Sequence, residues 1–440
     1  MFNIKKWLMT VVIALLMVVQ TGCTQNNEAQ PAEAAKPPSA EPVPNEPVEL
    51  EFWSYYGGWE KQIAAFGEKY PGVTIQVKTF PFSSYAAAYL QAVADGVGPD
   101  IMMADSEHFG QFTAIAGMED LLAYGAGKYR QDFSESLWQS GLSFDDKKLM
   151  GFPVGTSPLL TYYRADLMEQ YGFPSDPEQL GAFMEKPEHW LEIGKALKKD
   201  NRYITQWHIE PVYIFERSHA LFDSQLRFAR NTDTFVQAIE IAKEVNSAGL
   251  QASIDVWTPA GAVAVQEGKI AMMYMGAWGA DQIKEWAPES AGLWRETRLP
   301  FNQYGWVNSS NFMMPSAGKH KEWAWKFIEF CVTEWSLQGQ DNGVPAYIPA
   351  RGNPKKLERT SPYFGEQKLY ALHERLAENM REFKSTPLDG KAQAIWGDEV
   401  NTGIERLSNS KHILEQIKLK IDADLGKEVA ILKNALNVEP

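Results

Sequence analysis

Residues Glu267–Trp278 read E-G-K-I-A-M-M-Y-M-G-A-W. Ile270–Met275 is a short apolar run, bounded by Gly268 and Gly276, and it ends against Trp278. An apolar run of this length with glycine at each end predicts a buried strand. In α/β sheets ligands sit where strands end, and a flat aromatic placed there can form one wall of a cleft. Trp278 therefore has two readings, an ordinary core residue or a cleft wall. The rest of the chain favours the second.

Upstream, Val48–Phe52 is an apolar strand that runs into Trp53-Ser54-Tyr55-Tyr56-Gly57-Gly58-Trp59. Trp59, Ile63, Phe66 and Tyr70 keep one face of a helix, which Pro71-Gly72 stops. Val73–Val77 alternates as a second strand. Tyr85–Asp95 reads as a helix, and Gly98-Pro99-Asp100 turns into a third strand, Ile101–Ala104, that meets Asp105-Ser106-Glu107. Strand alternating with helix predicts an α/β fold with a largely parallel sheet. Further on, Asn311–Met314 is strand-like, and Ala324, Phe327, Ile328 and Cys331 form a helix face. Leu414, Ile417, Ile421 and Leu425 mark a last amphipathic helix.

The N-terminus stands apart from this pattern. Lys5 and Lys6 precede an apolar run, Trp7–Val19, too short to span a bilayer comfortably, so residues 1–22 read as a targeting segment. Its close, Thr21-Gly22-Cys23, resembles the lipobox of bacterial lipoproteins, although Gln20 stands where an apolar residue is usual. That resemblance implies cleavage before Cys23, palmitate on its mature N-terminus, and a body anchored to the cell membrane. Residues 23–47 hold Pro31, Pro37, Pro38, Pro42, Pro44 and Pro47 among Ala, Glu, Gln and Asn, which predicts an extended tether. The stretch from Val48 to Pro440 is longer than one core supports and predicts two domains. Cys331 is the one cysteine besides Cys23, so a lipidated chain has no intramolecular disulfide to form. A formal charge of −14 with no basic cluster argues against nucleic acid. The 15 Trp and 17 Tyr suit cores or flat apolar ligand faces such as those of sugars.

Five segments, in order along the chain, resemble the extracellular solute-binding proteins of bacterial ABC importers, in the sugar-binding, maltose-binding-protein-like branch. They are F-G-E-K-Y-P at Phe66–Pro71 with the strand after it, G-P-D-I at Gly98–Ile101, K-L-M-G-F-P-V-G-T-S-P-L-L-T-Y-Y-R-A-D-L at Lys148–Leu167, Pro187–Leu197 with Trp190, and Glu267–Trp278 itself. His189 and Gln266 depart from the family pattern, which usually has Thr and an aromatic residue there. The resemblance implies a two-lobe periplasmic-binding-protein-like fold of type II with a ligand cleft between the lobes. Lobe one would hold residues 48–154 and 308–348, and lobe two 155–307 and 349–440. It also implies a carbohydrate ligand and a partner permease whose transmembrane subunits are driven by an ATPase. A monomer without cofactor or metal is the expectation.

A pyranose offers an apolar face and a rim of hydroxyls, so its site needs aromatic platforms with carboxylates, amides or guanidinium groups at their edge. Candidates on those grounds are Trp53, Tyr55 and Tyr56 at the first strand-to-helix turn, Asp105 and Glu107 after the third strand, and Trp278. The stretch Trp207–Tyr213 holds Trp207 and, in an acid-Pro-x-aromatic element like that of the family's sugar binders, Glu210 and Tyr213; Trp396 lies in a segment that resembles the family's second stacking position, and Asn308 and Arg351 complete the set. Each has a plainer reading. Tyr56 and Trp59 can pack on a helix face, Glu107 can be a solvated acid beside Asp105 as the true contact, and Trp207 and Trp396 can be core. Asn308 can serve a turn and Arg351 the surface.

Enzyme signatures are missing: there is no Gly-x-Ser-x-Gly elbow, Walker loop, dinucleotide fingerprint or helical histidine pair. The rival from another class is a surface-anchored glycoside hydrolase using two cleft carboxylates. A third is an adhesin or structural lipoprotein, with no small ligand and no ligand-dependent closure.

Overall fold

The structure, a computed structural model, describes residues 44–307, 309–339, 343–380 and 383–436. The targeting segment, Cys23, most of the proline-rich tether and Asn308 lie outside the described residues. Two sheets organise the rest. The larger has the order β2 (Val73–Thr79), β1 (Val48–Ser54), β3 (Ile101–Asp105), β8 (Ser310–Met313), β4 (Phe152–Thr156), β9 (Val344–Pro345). The smaller has β5 (Leu159–Arg164) between β6 (Met272–Gly276) and β7 (Trp294–Thr297).

Side-chain period explains which strands lie where. In β1, Val48, Leu50, Phe52 and Ser54 are buried while Glu49 and Glu51 face water. β3, β5 and β6 are buried along their whole length, and all but Asp105, Thr161 and Arg164 of their residues are apolar or aromatic. β1 pairs with β2 and β3 in parallel, as the strand–helix alternation predicts. The other pairs in both sheets are antiparallel, so the largely parallel sheet holds only for the first three strands. The reason lies in the chain path. β3 ends at Asp105 beside Ser310, where β8 begins, so the returning strand runs back along its neighbour.

Under the larger sheet, Phe52 packs 5.7 Å from Phe312, and Phe66 packs 5.2 Å from Phe327 on the helix Lys321–Glu329. Such aromatic pairs are worth about 0.5–1.5 kcal/mol each beyond the area they bury. Under the smaller sheet, Trp190 is fully buried and donates from Nε1 to Tyr274 Oη at 2.8 Å. Leu414, Ile417, Ile421 and Leu425 are buried there too, with the helix Ser410–Leu436 lying against Asp389–Glu405 and Asp233–Ala248.

Two crossing segments join the sheets and hold each other. Val307 donates its backbone N–H to Ser157 O at 2.8 Å, and Leu159 donates to Gly305 O at 2.9 Å. β4 stays in the larger sheet as far as Thr156, so the first crossing falls at Ser157 and Pro158. Near the end of the chain, Lys384 pairs with Asp146 and Ser385 Oγ donates to Ser106 O at 3.0 Å. Among the described residues no helix is long and apolar enough to cross a membrane.

Candidate functional site

A cleft of about 1560 Å³ opens where the strand ends of both sheets meet the crossing segments. On the larger-sheet side the end of β1 supplies Tyr55 and Tyr56, β8 supplies Ser310, and the helical turn after β3 supplies Glu107. Tyr55 is held firmly. Its hydroxyl lies 2.6 Å from Ser310 Oγ and its ring stacks on Tyr85 at 5.0 Å. Burial, with Asp105 nearby, raises the pKa of the Tyr55 phenol well above its usual value, so it acts as a neutral hydrogen-bonding group. Trp59 borders the same wall but is a core residue, edge-on to Phe52 at 5.0 Å.

The smaller-sheet side is built from β6 and the helix Glu210–Glu216. Pro211 starts that helix without costing a backbone donor that would be used. Glu210, Tyr213 and Arg217 follow at helical spacing on its cleft face, while Val212, Ile214 and Phe215 go to the core. Burial pushes the Glu210 carboxyl up to about 8, opposed by the backbone N–H groups of Gln206 and Trp207. Its Oε2 is buried without a hydrogen-bond partner. The Arg217 guanidinium lies 4.1 Å from the centre of the Tyr213 ring and 3.9 Å from Glu107 Oε2 on the opposite wall.

β6 ends at Gly276, and there the tertiary geometry is tight. A Cβ on Gly276 would stand 2.5 Å from Trp278 Nε1 and 2.6 Å from Ser157 Oγ. Glycine therefore lets the Trp278 indole fold against the strand end. Ser157, on the first crossing, accepts from the Ala277 N–H at 2.9 Å and ties that end to the crossing segment. Trp278 is 39% exposed and lines the cleft. Trp257 lies beside it at 5.9 Å between ring centres and is 58% exposed.

Of the residues singled out in the sequence, Tyr55, Tyr56, Glu107, Glu210, Tyr213 and Trp278 come together in this cleft. Four do not line it. Trp53 points to the other face of β1, against Phe80 at 4.9 Å and Tyr89 at 5.6 Å, one residue before the strand end. Asp105 is fully buried and accepts from the Glu107 N–H at 2.9 Å, capping the turn after β3. Trp396 is fully buried and donates to Glu216 Oε1 at 2.6 Å under the helix Asp389–Glu405. Arg351 does not itself line the cleft; it donates from Nε at 2.7 Å to the carbonyl of Pro345, a residue of the lining. The sequence reading missed Arg217, Trp257, Phe82 and Trp335, all of which line the cleft; Trp207, which it placed in the candidate stretch Trp207–Tyr213 with core packing as the alternative, lines it too. Arg217 had a signal, because it lies two helical turns after Glu210. Trp257 follows a tight turn in which Asp255 Oδ1 accepts its N–H at 2.9 Å, and it belongs to no periodic pattern. Among the described residues no cluster of His, Cys, Asp or Glu is arranged to hold a metal ion.

The sequence model of the bacterial extracellular solute-binding protein family matches residues 54–334. Several solved structures are similar in fold. The galacto-N-biose/lacto-N-biose I-binding protein of a Bifidobacterium longum ABC transporter is 16% identical with a TM-score of 0.72, over 87% of this chain and 98% of that one. A binding protein of a Bifidobacterium animalis subsp. lactis ABC transporter, in complex with β-1,6-galactobiose, is 18% identical with a TM-score of 0.70, over 87% and 98%. The sugar-binding protein MalE from Xanthomonas citri is 17% identical with a TM-score of 0.69, over 88% and 99%.

Proposed function

The chain belongs to the bacterial extracellular solute-binding proteins, and on that premise we propose that it is the sugar-capturing, membrane-tethered subunit of an ABC importer. The observation that carries this reading is the opposition of aromatic faces across the cleft. Tyr55 and Tyr56 stand on one wall, Tyr213, Trp257 and Trp278 on the other, with the carboxyls of Glu107 and Glu210 at their edges. Stacked aromatics bind the C–H faces of a pyranose, and carboxyls and amides bind its hydroxyls. The sugar complexes of fold relatives from Bifidobacterium support the same ligand class.

Contacts split between two walls make ligand binding and closure one event. Sugar held by both walls stabilises the closed form by its extra affinity for that form, and the paired crossing segments at Ser157–Leu159 and Gly305–Val307 are the hinge that bends. The closed chain then docks on the permease. A lipid on Cys23 and the proline-rich stretch after it keep the body near the membrane. The protein binds sugar and does not turn it over.

A thermal-shift screen against mono- and oligosaccharides, followed by small-angle scattering with each hit, tests this reading. Expected are at least one stabilising sugar and a smaller radius of gyration in its presence. No stabilising sugar in the panel, or release of new reducing ends on incubation, would overturn it.

A further inference from the structure

The carboxyl of Glu210 is in a setting that does not suit a carboxylate. The residue is half-buried and lines the cleft, and its Oε2 is enclosed without a hydrogen-bond partner. The N–H groups of Gln206 and Trp207 bear on the carboxyl, and since Oε2 has no partner, the oxygen facing them is Oε1. The titratable groups around it are Tyr213 and Arg217 on its own helix and Tyr274 on β6, and burial keeps both phenols neutral. His208, in the loop before, is engaged with Asn401 at 3.0 Å, and Asp255 with the Trp257 N–H. Asp281 and Glu285 on the helix Gly279–Trp286, and Glu107 on the opposite wall, complete the surroundings. No charged neighbour bears on Glu210, and burial raises its carboxyl to about 8. A carboxyl enclosed without a counter-ion keeps its proton rather than stay charged. That proton belongs on Oε2, because Oε1 already accepts. A buried O–H without an acceptor is costly, and the open side of this residue is the cleft. Arg217, two turns further along the same face, repeats the pattern. Its Nε is buried without a partner, and its 3.9 Å to Glu107 Oε2 is too long for a hydrogen bond. This wall therefore offers two donors about 10 Å apart.

We infer that Glu210 binds the ligand in its acid form, giving the proton on Oε2 to an acceptor oxygen of the sugar, and that capture fails when this proton is lost. The inference rests on the sugar-binding reading above. The role is opposite in sign to that of an ionised sugar-site carboxylate, which accepts from hydroxyls. Ring and glycosidic oxygens of a sugar accept and cannot donate, so a donor here selects the pose that brings one of them to Oε2. Glu210 is then a specificity residue, and pH is its signature. A ligand oxygen on Oε2 favours the acid form further, so binding above pH 8 draws a proton from solvent.

The test uses the full-length chain as wild type, Glu210→Gln and Glu210→Met. The probe is whichever neutral sugar of the screening panel stabilises the chain most, with lacto-N-biose and β-1,6-galactobiose included in that panel. The glutamine amide copies the acid form, with an oxygen for the two N–H groups and a donor for the ligand, and it does not titrate. Titration calorimetry on wild type should give an affinity that is level from about pH 5.5 to 7 and falls above about pH 8, approaching tenfold per unit. Buffers of different ionisation enthalpy should show proton uptake on binding at about pH 8.5. Glu210→Met should lose about 30-fold or more at pH 6, and Glu210→Gln should recover about tenfold or more of that loss with no fall at high pH. Infrared difference spectra of the free chain should show a carboxylic-acid carbonyl band at pH 6 that Glu210→Gln lacks. Glu210→Gln as weak as Glu210→Met, or a wild-type affinity that holds or climbs through pH 9.5, overturns the donor role and leaves sugar binding standing. Absence of the acid band overturns it without any ligand. If no sugar of the panel binds, the sugar reading and the donor role fall together.

Discussion

Arg217 Nη1 stands 3.9 Å from Glu107 Oε2, although the first belongs to the helix beside the smaller sheet and the second to the turn after β3 of the larger. This contact spans the cleft. Ion pairs with one partner half in solvent contribute about 1 kcal/mol or less to stability. Glu107→Gln should therefore lower the thermal midpoint by less than about 4 °C, the shift that 1 kcal/mol gives in a protein of this size class. A larger drop in differential scanning calorimetry would make the pair a structural latch.

Trp278→Ala should weaken sugar binding about tenfold to 100-fold while leaving the melting midpoint nearly unchanged. Its ring is 39% exposed, so truncation opens little cavity in the core. The aromatic face lost is worth on the order of 1.5–3 kcal/mol when a ligand covers it. Affinity unchanged within twofold would take Trp278 out of the site.

Gly276→Ala should mimic that loss without touching the indole. The added methyl meets Trp278 Nε1 and Ser157 Oγ, so it must turn the ring out of place or loosen the crossing strand. Tryptophan fluorescence and affinity should both change. A variant with wild-type emission and affinity would show that the ring position does not depend on the missing Cβ.

Glu210 should make stability depend on pH. Burial raises its carboxyl from 4.5 to about 8, so between those values the folded chain holds a proton that the unfolded chain has lost. The contribution is complete below about pH 4 and disappears as pH rises toward 8. Glu210→Gln should flatten the decline in melting temperature from pH 5 to pH 8. An identical slope in the variant would assign the pH dependence to other groups.

Trp396→Phe should destabilise the fold without altering affinity per folded molecule. The indole N–H bonds Glu216 Oε1 at 2.6 Å in the interior, and Arg230 lies over the ring at 5.1 Å. Leaving that carboxylate oxygen unpaired costs about 1–3 kcal/mol. Urea denaturation should show a lower midpoint with an unchanged slope. Lost affinity with normal stability would return Trp396 to the ligand site.

Much of the fold was written in local periodicity. The strand read at Val48–Phe52, the stripe of Trp59, Ile63, Phe66 and Tyr70, and the apolar run before Gly276 correspond to β1 (Val48–Ser54), the helix Glu60–Lys69 and β6. The site was only half legible. Asp105 and Glu107 are two residues apart and chemically alike, yet one is buried in a capping hydrogen bond and the other faces the cleft. Trp396 and Trp257 pose the same problem in reverse, since the first is core and the second lines the cleft.

The sequence by itself determined which segments are strands and helices and that a large aromatic follows the end of β6, because those are properties of neighbours a few residues apart. Which acids and aromatics face one another was decided by tertiary structure alone. Arg217 finds Glu107, and Trp278 finds Gly276 and Ser157, only after two sheets dock through paired crossing segments. No local pattern encodes that docking, because its energy comes from residues far apart in the chain being buried against each other.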